Sequence, residues 1–213
     1  MIKIENITKT FKDREVLNKT NLTFENGLVY AMIGPSGSGK TTLLNMISKL
    51  EPYDSGTVIY NDKPLNQIKP QQFFRDDLGY LFQNFGLLES NTIADNLDLG
   101  LIGKKMSKTA RISIEKKALS SVGLSYLDLN QKIFSLSGGE AQRVAIAKVI
   151  LKDPPLILAD EPTAALDPKT SEEIMALILS LRTEKRIIII ATHNPVIWTL
   201  ADKVIDIREI SNV

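Results

Sequence analysis

Apolar and charged residues alternate at the start of the chain, with Ile2, Ile4 and Ile7 set among Lys3, Glu5 and Lys9. That spacing predicts a half-buried strand, and Leu22 and Phe24 around Thr23 predict a second, antiparallel to it. The connection between them, TKTFKDRE, is polar and holds Phe11 as a lone aromatic, which on position alone reads as a loop anchor. The pattern then changes to short unbroken apolar runs at 28–33, 156–159 and 187–191. Runs of that length without alternation predict strands buried on both faces, as in a parallel sheet.

Helical spacing follows the first run, where Leu43, Leu44, Ile47 and Leu50 share a face over 41–50. Turn clusters EPYDSGT and NDKP bracket a short strand at Val58, Ile59 and Tyr60, and a brief apolar strand at 78–82 ends at Gln83. From 84 to 131 the period is helical: Ile93, Leu97 and Leu101, then Ile112, Ile114, Ala118, Leu119 and Val122. Within it GKKMSKTAR, with Lys104, Lys105, Lys108 and Arg111, reads as a solvated helix end. Residues 144–151 are strongly helical, Ile174, Leu177, Ile178 and Leu181 mark an amphipathic helix, and Val204, Ile205 and Ile207 suggest a last strand. The fold class is α/β: a mostly parallel sheet in a core of 1–83 and 132–213, an N-terminal antiparallel β part, and a helical subdomain inserted at 84–131.

Composition narrows the chemistry. The chain has 213 residues, 43% of them hydrophobic, enough for a sizeable core in one domain. With no cysteine and one histidine, disulfides, thiolate zinc and all-histidine metal sites are excluded, and any metal is expected on oxygen ligands. Lys and Arg number 26 against 25 Asp and Glu, so no net positive field predicts a nucleic-acid partner. The N-terminus lacks the basic start and apolar stretch of a leader, and no apolar run approaches bilayer length, so neither secretion nor a membrane span is expected.

Residues 34–41 read Gly34, Pro35, Ser36, Gly37, Ser38, Gly39, Lys40 and Thr41, matching G-x-x-x-x-G-K-[ST] between a predicted strand and a predicted helix. In that context the glycines turn backbone N–H groups onto phosphates, the helix N-terminus adds positive potential, Lys40 reaches the β/γ-phosphates and Thr41 offers its hydroxyl to Mg²⁺. Asp160 and Glu161 end a buried strand at the edge where open α/β sheets bind ligands. The chemical reading is a Mg²⁺-linked Asp160 followed by Glu161 as general base for the attacking water.

Ser137 stands at an N-cap with Glu140 three residues on, a capping box, which leaves Gly138 and Gly139 in the first helical turn unexplained. Glycine there costs roughly 1 kcal/mol against alanine, so the pair suggests close approach by a ligand at a second anion site without a lysine. Asp167 before Pro168 is accounted for as an N-cap, and Gln83 as a solvated strand end. His193 follows a buried strand at the presumed ligand edge.

Taken together and in this order, GPSGSGKT, Gln83, LSGGEAQR, LILADE and His193 resemble the ATP-binding cassette (ABC) ATPase family along essentially the whole chain. The resemblance implies the P-loop ABC ATPase fold, with ATP and Mg²⁺ as cofactors. It also implies a head-to-tail dimer with a second copy, each ATP lying between the phosphate loop of one copy and the LSGGE helix of the other. It assigns Phe11 to adenine stacking, Lys40 and Thr42 to the phosphates, Gln83 to Mg²⁺ or its water, Asp167 to the loop crossing the dimer interface and His193 to the γ-phosphate.

The partners implied are integral-membrane permease subunits, with the chain on the cytoplasmic face of the membrane. The segment LFQNFGLLES is similar to export-type cassettes for lipoprotein release, macrolide or antimicrobial-peptide efflux and bacteriocin export. At Thr163, Ala164 and Ala165 it departs from the Thr-Gly-Asn common in the lipoprotein-release and peptide-export branch. Two alternatives stay open: a nontransport ATPase driving a membrane partner that regulates a cell-wall enzyme or sensor, and a DNA- or ribosome-acting member.

Overall fold

The computed structural model describes residues 1–210. They divide into two compact units, one of residues 1–78, 155–161 and 182 onward, the other of residues 79–154 and 162–181.

The first unit holds an antiparallel sheet and a parallel one. In the former, Ile2–Phe11 lies between Arg14–Phe24 and Ser55–Tyr60, with the two-residue strand Lys63–Pro64 at the edge. Ile2, Ile4 and Ile7 are buried, as their alternation predicts, and bulges shift the register between Ile4 and Ile7, where Asn6 has φ 51°. Phe11 is not in a long polar connection. The strand runs through it, and Phe11 pairs with Arg14 across a turn of only Lys12 and Asp13.

In the parallel sheet, Val29–Ile33 runs between Ile187–Ala191 and Lys203–Asp206, and Leu156–Asp160 lies on the other side of Ile187–Ala191. Ile187 to Ile190 are no more than 1% exposed, and Leu156 to Ala159 are fully buried. Unbroken apolar runs are required here because each strand is covered on both faces.

Helix Lys40–Ile47 buries Leu43, Leu44 and Ile47, but Leu50 is not on its face. The helix stops at Ile47, Lys49 turns left-handed at φ 64°, and Leu50 is 47% exposed. Likewise the last strand ends at Asp206, and Ile207 begins the helical turn Ile207–Ile210, buried all the same.

The second unit follows the strand Leu78–Leu81 with helices Ile93–Asp98, Lys108–Ser121, Gly138–Lys152 and Pro168–Ser180. Thr92 and Asp95 form a capping box on the first, and Ser107 caps the second. Lys104 is not merely solvated: its Nζ donates to Leu151 O at 2.6 Å, satisfying a last-turn carbonyl of Gly138–Lys152.

The inward face of Lys108–Ser121 departs from the predicted apolar stripe. Ala118 and Leu119 are buried, yet Ile112 is exposed and Glu115 takes a buried position. Burial, then a hydrogen bond with Asp98 and the charge of that residue, pushes the Glu115 carboxyl up to about 7, while Arg111 pulls the other way. Arg111 is itself paired with Asp98 at 3.1 Å. Since the folded value lies above the unfolded 4.5, the stability Glu115 contributes is full below the unfolded value and is lost as pH rises through about 7. Urea unfolding is expected to show stability falling across that window, and Glu115→Gln to flatten the fall. An equal slope in the variant would contradict the assignment.

Candidate functional site

The phosphate loop takes its shape from three glycines in left-handed backbone, Gly34 at φ 145°, Gly37 at 74° and Gly39 at 101°. A Cβ on Gly34 would lie 2.7 Å from Ile207 Cγ2 and from Ser38 Oγ, and one on Gly39 would lie 2.7 Å from Val16 Cγ1. Gly39 is the N-cap of Lys40–Ile47, with no side chain bonded to the cap and no acidic residue in the first turn. The first N–H groups of that helix have no intrahelical partner, so its positive end points into the loop uncompensated.

Lys40 is buried and donates from Nζ to Gly34 O at 2.8 Å and Pro35 O at 3.0 Å, leaving one N–H of its ammonium. Ser38 N–H folds back to Pro35 O at 3.2 Å, and Ser38 Oγ is buried without a partner. Pro35 and Ser36 are exposed on the outer turn, Thr41 is exposed and Thr42 half-buried at the helix start. A strained glycine cradle, an orphaned hydroxyl and a helix N-terminus fit a phosphate chain.

Beside the loop, Phe11 is 43% exposed and lines a cavity of about 270 Å³ with Val16, Lys40, Thr41 and Thr42. Lys9 Nζ stands 4.6 Å from the centre of its ring, itself paired with Glu51 at 2.6 Å.

Two strands away from the loop, Leu156–Asp160 brings its last residue to the helix start: Thr41 Oγ1 donates to Asp160 Oδ1 at 3.1 Å. Burial pushes the Asp160 carboxyl up, with Thr41 pulling it down, Glu161 adding to the rise and Lys40 opposing it. Among the described residues no group of three or more His, Cys, Asp or Glu forms a metal cluster. Thr41 and Asp160 therefore fit a hard cation that completes its shell with phosphate oxygens and water, which is the habit of Mg²⁺.

Glu161 sits in left-handed backbone at φ 45°, unusual for a residue with a side chain, and its N–H donates to Ala191 O at 2.9 Å. That turn aims its carboxylate at His193, with Nδ1 2.9 Å from Oε2. His193 is largely exposed and Glu161 mostly covered. Phe11, residues 34–42, Asp160, Glu161 and His193 thus all belong to the first unit.

Gln83, Ser137, Gly138, Gly139 and Asp167 belong to the second. Gln83 is exposed just after Leu78–Leu81. Ser137 and Glu140 form the predicted capping box, with Glu140 N–H to Ser137 Oγ at 3.3 Å and Ser137 N–H to Glu140 Oε2 at 2.8 Å. Asp167 is the N-cap of Pro168–Ser180 and accepts from Thr170 N–H at 3.0 Å; the side chain of Thr170, and after it this backbone bond, hold its carboxyl below the usual range.

The two glycines part company. A Cβ on Gly139 would lie 2.9 Å from Thr170 Cγ2, so packing within the chain already calls for glycine there. At Gly138 a Cβ would meet Leu166 and Phe85 at ordinary distances, 3.4 and 3.6 Å, so packing gives no reason for it. Sequence reasoning missed Arg14, which donates from a terminal guanidinium nitrogen to Gly37 O at 2.8 Å. Standing between Asp13 and Glu15, it gives no signal beyond a surface charge.

A family model described as ABC transporter matches residues 17–164. The ABC transporter ATP-binding protein MJ0796 of Methanocaldococcus jannaschii is 36% identical over 220 residues, spanning 98% of this chain and 94% of the relative. A dimeric structure of MJ0796 in a post-hydrolysis state, bound to ADP and Pi, superposes with a TM-score of 0.87 at 34% identity, over 97% of this chain and 95% of that one. The methionine import ATP-binding protein MetN of Clostridium acetobutylicum is 40% identical over 91% of this chain and 61% of its own length. The macrolide export ATP-binding/permease protein MacB of Campylobacter jejuni is 36% identical over 98% of this chain and 33% of its own.

The geometry of the loop makes a direct prediction. Gly39→Ala is expected to lower the midpoint of thermal unfolding, overpacking against Val16 costing about 1–3 kcal/mol. Val16→Ala in the same chain relieves the contact but not the left-handed strain, and so recovers only part. An unchanged midpoint in Gly39→Ala would contradict the geometry.

Proposed function

The chain belongs to the ABC transporter family as an ATP-hydrolysing subunit, and we propose that two copies sandwich two ATP molecules head to tail and drive separate membrane permease subunits. The observation that carries this reading is the pair of contacts at the end of Leu156–Asp160: Thr41 on Asp160 at 3.1 Å, and His193 on Glu161 at 2.9 Å. One pair offers oxygens to Mg²⁺; the other offers a held carboxylate to a water.

Bound MgATP supplies the phosphoanhydride that is cleaved and the metal charge that stabilises it. The loop from Gly34 to Gly39 holds the phosphates through backbone N–H groups, with Lys40 as its fixed cation and Thr42 at the helix start. Thr41 and Asp160 would hold the metal. Glu161 takes the proton of the attacking water, an effect typically worth about 10² to 10⁴ in rate. His193 keeps that carboxylate in place and attends the γ-phosphate. Phe11 stacks on the adenine, without the hydroxyl of a tyrosine. Ser137, Gly138 and Gly139 of the second copy would close over the phosphates, Asp167 would lie at the dimer interface, and Gln83 would serve Mg²⁺ or its water.

The finer reading is export or extraction of a peptide, lipoprotein or drug-like substrate, with the chain held on the cytoplasmic face by its permease. The likeness to MacB supports export and that to MetN points to import, while LFQNFGLLES favours the export side. Among the described residues no helix is long and apolar enough to cross a membrane. The membrane protein that co-purifies with the chain identifies the branch, and an importer permease would overturn the export reading.

Glu161→Gln keeps the size and polarity of the side chain but removes the base. It is expected to bind ATP and accumulate as an ATP-bound dimer by light scattering, with hydrolysis reduced at least about a hundredfold. Wild-type turnover in that variant would remove Glu161 from the general-base role.

A further inference from the structure

We propose that Arg14 is a nucleotide-binding residue of this chain, a second fixed cation beside Lys40 that grips the phosphates of a nucleoside di- or triphosphate from the Gly37 side of the loop. The proposal rests on the reading of residues 34–41 as a nucleotide site.

Position is the first argument. The tight turn at Lys12 and Asp13 makes Phe11 and Arg14 cross-strand partners, so one hairpin tip carries both an aromatic ring and a guanidinium. Both line the same cavity of about 270 Å³ as Lys40, Thr41 and Thr42. Arg14 also borders a neighbouring cavity of about 560 Å³, with Ser38 and Arg208.

Charge is the second. Arg75, Arg111, Arg143, Arg182 and Arg208 each pair with a carboxylate, on Asp76, Asp98, Glu173, Asp202 and Asp206 in turn. Arg14 has Asp13 and Glu15 as chain neighbours, yet among the described residues it pairs with neither and bonds instead to Gly37 O at 2.8 Å. Of the other cations near this hairpin tip, Lys9 is paired with Glu51, Arg208 with Asp206, and Lys40 is bonded to two loop carbonyls, while Lys12 lies on the turn itself and, unlike Arg14, does not line the cavity beside the loop. Arg14 therefore brings a guanidinium outside any ion pair, though flanked by Asp13 and Glu15, to a loop whose backbone is already arranged for an anion.

Chemistry is the third. A carbonyl accepts one of the five N–H groups of a guanidinium, and the remaining fork matches phosphate oxygens in bidentate geometry. The bond to Gly37 also fixes the side chain before any ligand arrives, so little rotamer freedom is lost on binding.

The test separates charge from tethering. Affinities for ATP, ADP and adenosine would be measured by calorimetric titration and nucleotide competition on the wild type, Arg14→Ala, Arg14→Gln and Arg14→Lys. Glutamine keeps an N–H donor, on a side chain two bonds shorter, but carries no charge. Both Arg14→Ala and Arg14→Gln are expected to weaken ATP and ADP about tenfold, with adenosine unchanged and a shallower dependence on salt. Arg14→Lys is expected to fall between them and the wild type. Thermal unfolding without nucleotide is expected to match across the set, since the side chain is exposed.

Wild-type affinity in Arg14→Gln with a loss only in Arg14→Ala would reduce Arg14 to a loop tether and overturn the proposal, as would equal affinities throughout. A wild-type protein that binds no ATP would instead sink the nucleotide reading itself.

Discussion

The hydrogen bond from Thr41 to Asp160 joins the first turn of the helix after the phosphate loop to the end of a strand two places away in the parallel sheet. A highly charged ligand has to be met at the edge of that sheet, because the strand interiors are sealed against water. Ile187 to Ile190 and Leu156 to Ala159 can carry no charge, so polar chemistry is confined to the residues where each strand stops. Asp160 is the limiting case: still in the strand, mostly buried, its carboxyl pushed up by desolvation and held by Thr41. One residue later the backbone turns left-handed, and Glu161 leaves the sheet toward His193.

The same constraint leaves the loop little freedom of shape. Gly34 and Gly39 are fixed twice, by backbone angle and by neighbours at 2.7 Å, while Lys40 is folded over its own carbonyls. The cradle is shaped before a ligand enters it, so binding is not charged with ordering the loop. The Gly37 carbonyl, tied to Arg14, belongs to this preorganisation as well.

Much of this was legible in the chain itself, for reasons that differ by element. The parallel strands show as unbroken apolar runs because burial on both faces demands them, and Ser137 and Asp167 show as caps because capping is local chemistry. What stayed hidden depends on distant partners. The strand role of Phe11 needs its pairing with Arg14, and the glycine at 139 needs Thr170, a contact no local pattern encodes. Glu115 displaced Ile112 from the inward face because Asp98 and Arg111 provide partners for a carboxyl, which periodicity does not register. Leu50 fell outside its helix because Lys49 breaks the helix first. Arg14 was invisible because an arginine between two acids looks like any surface charge.

The phosphate loop lies on the first unit and the LSGGE helix on the second, and Gly138 on that helix has no packing reason of its own, so the proposed sandwich would give each copy two halves of different sites. The most direct measurement is complementation between two inactive variants. Lys40→Ala loses the phosphate loop and keeps the helix; Gly138→Asp keeps the loop and loses the helix. If the site is shared between copies, each alone is inactive and a mixture regains ATP hydrolysis, since a mixed dimer contains one intact site. A mixture as inactive as its components, with both variants folded and mixed dimers formed, would contradict the shared site.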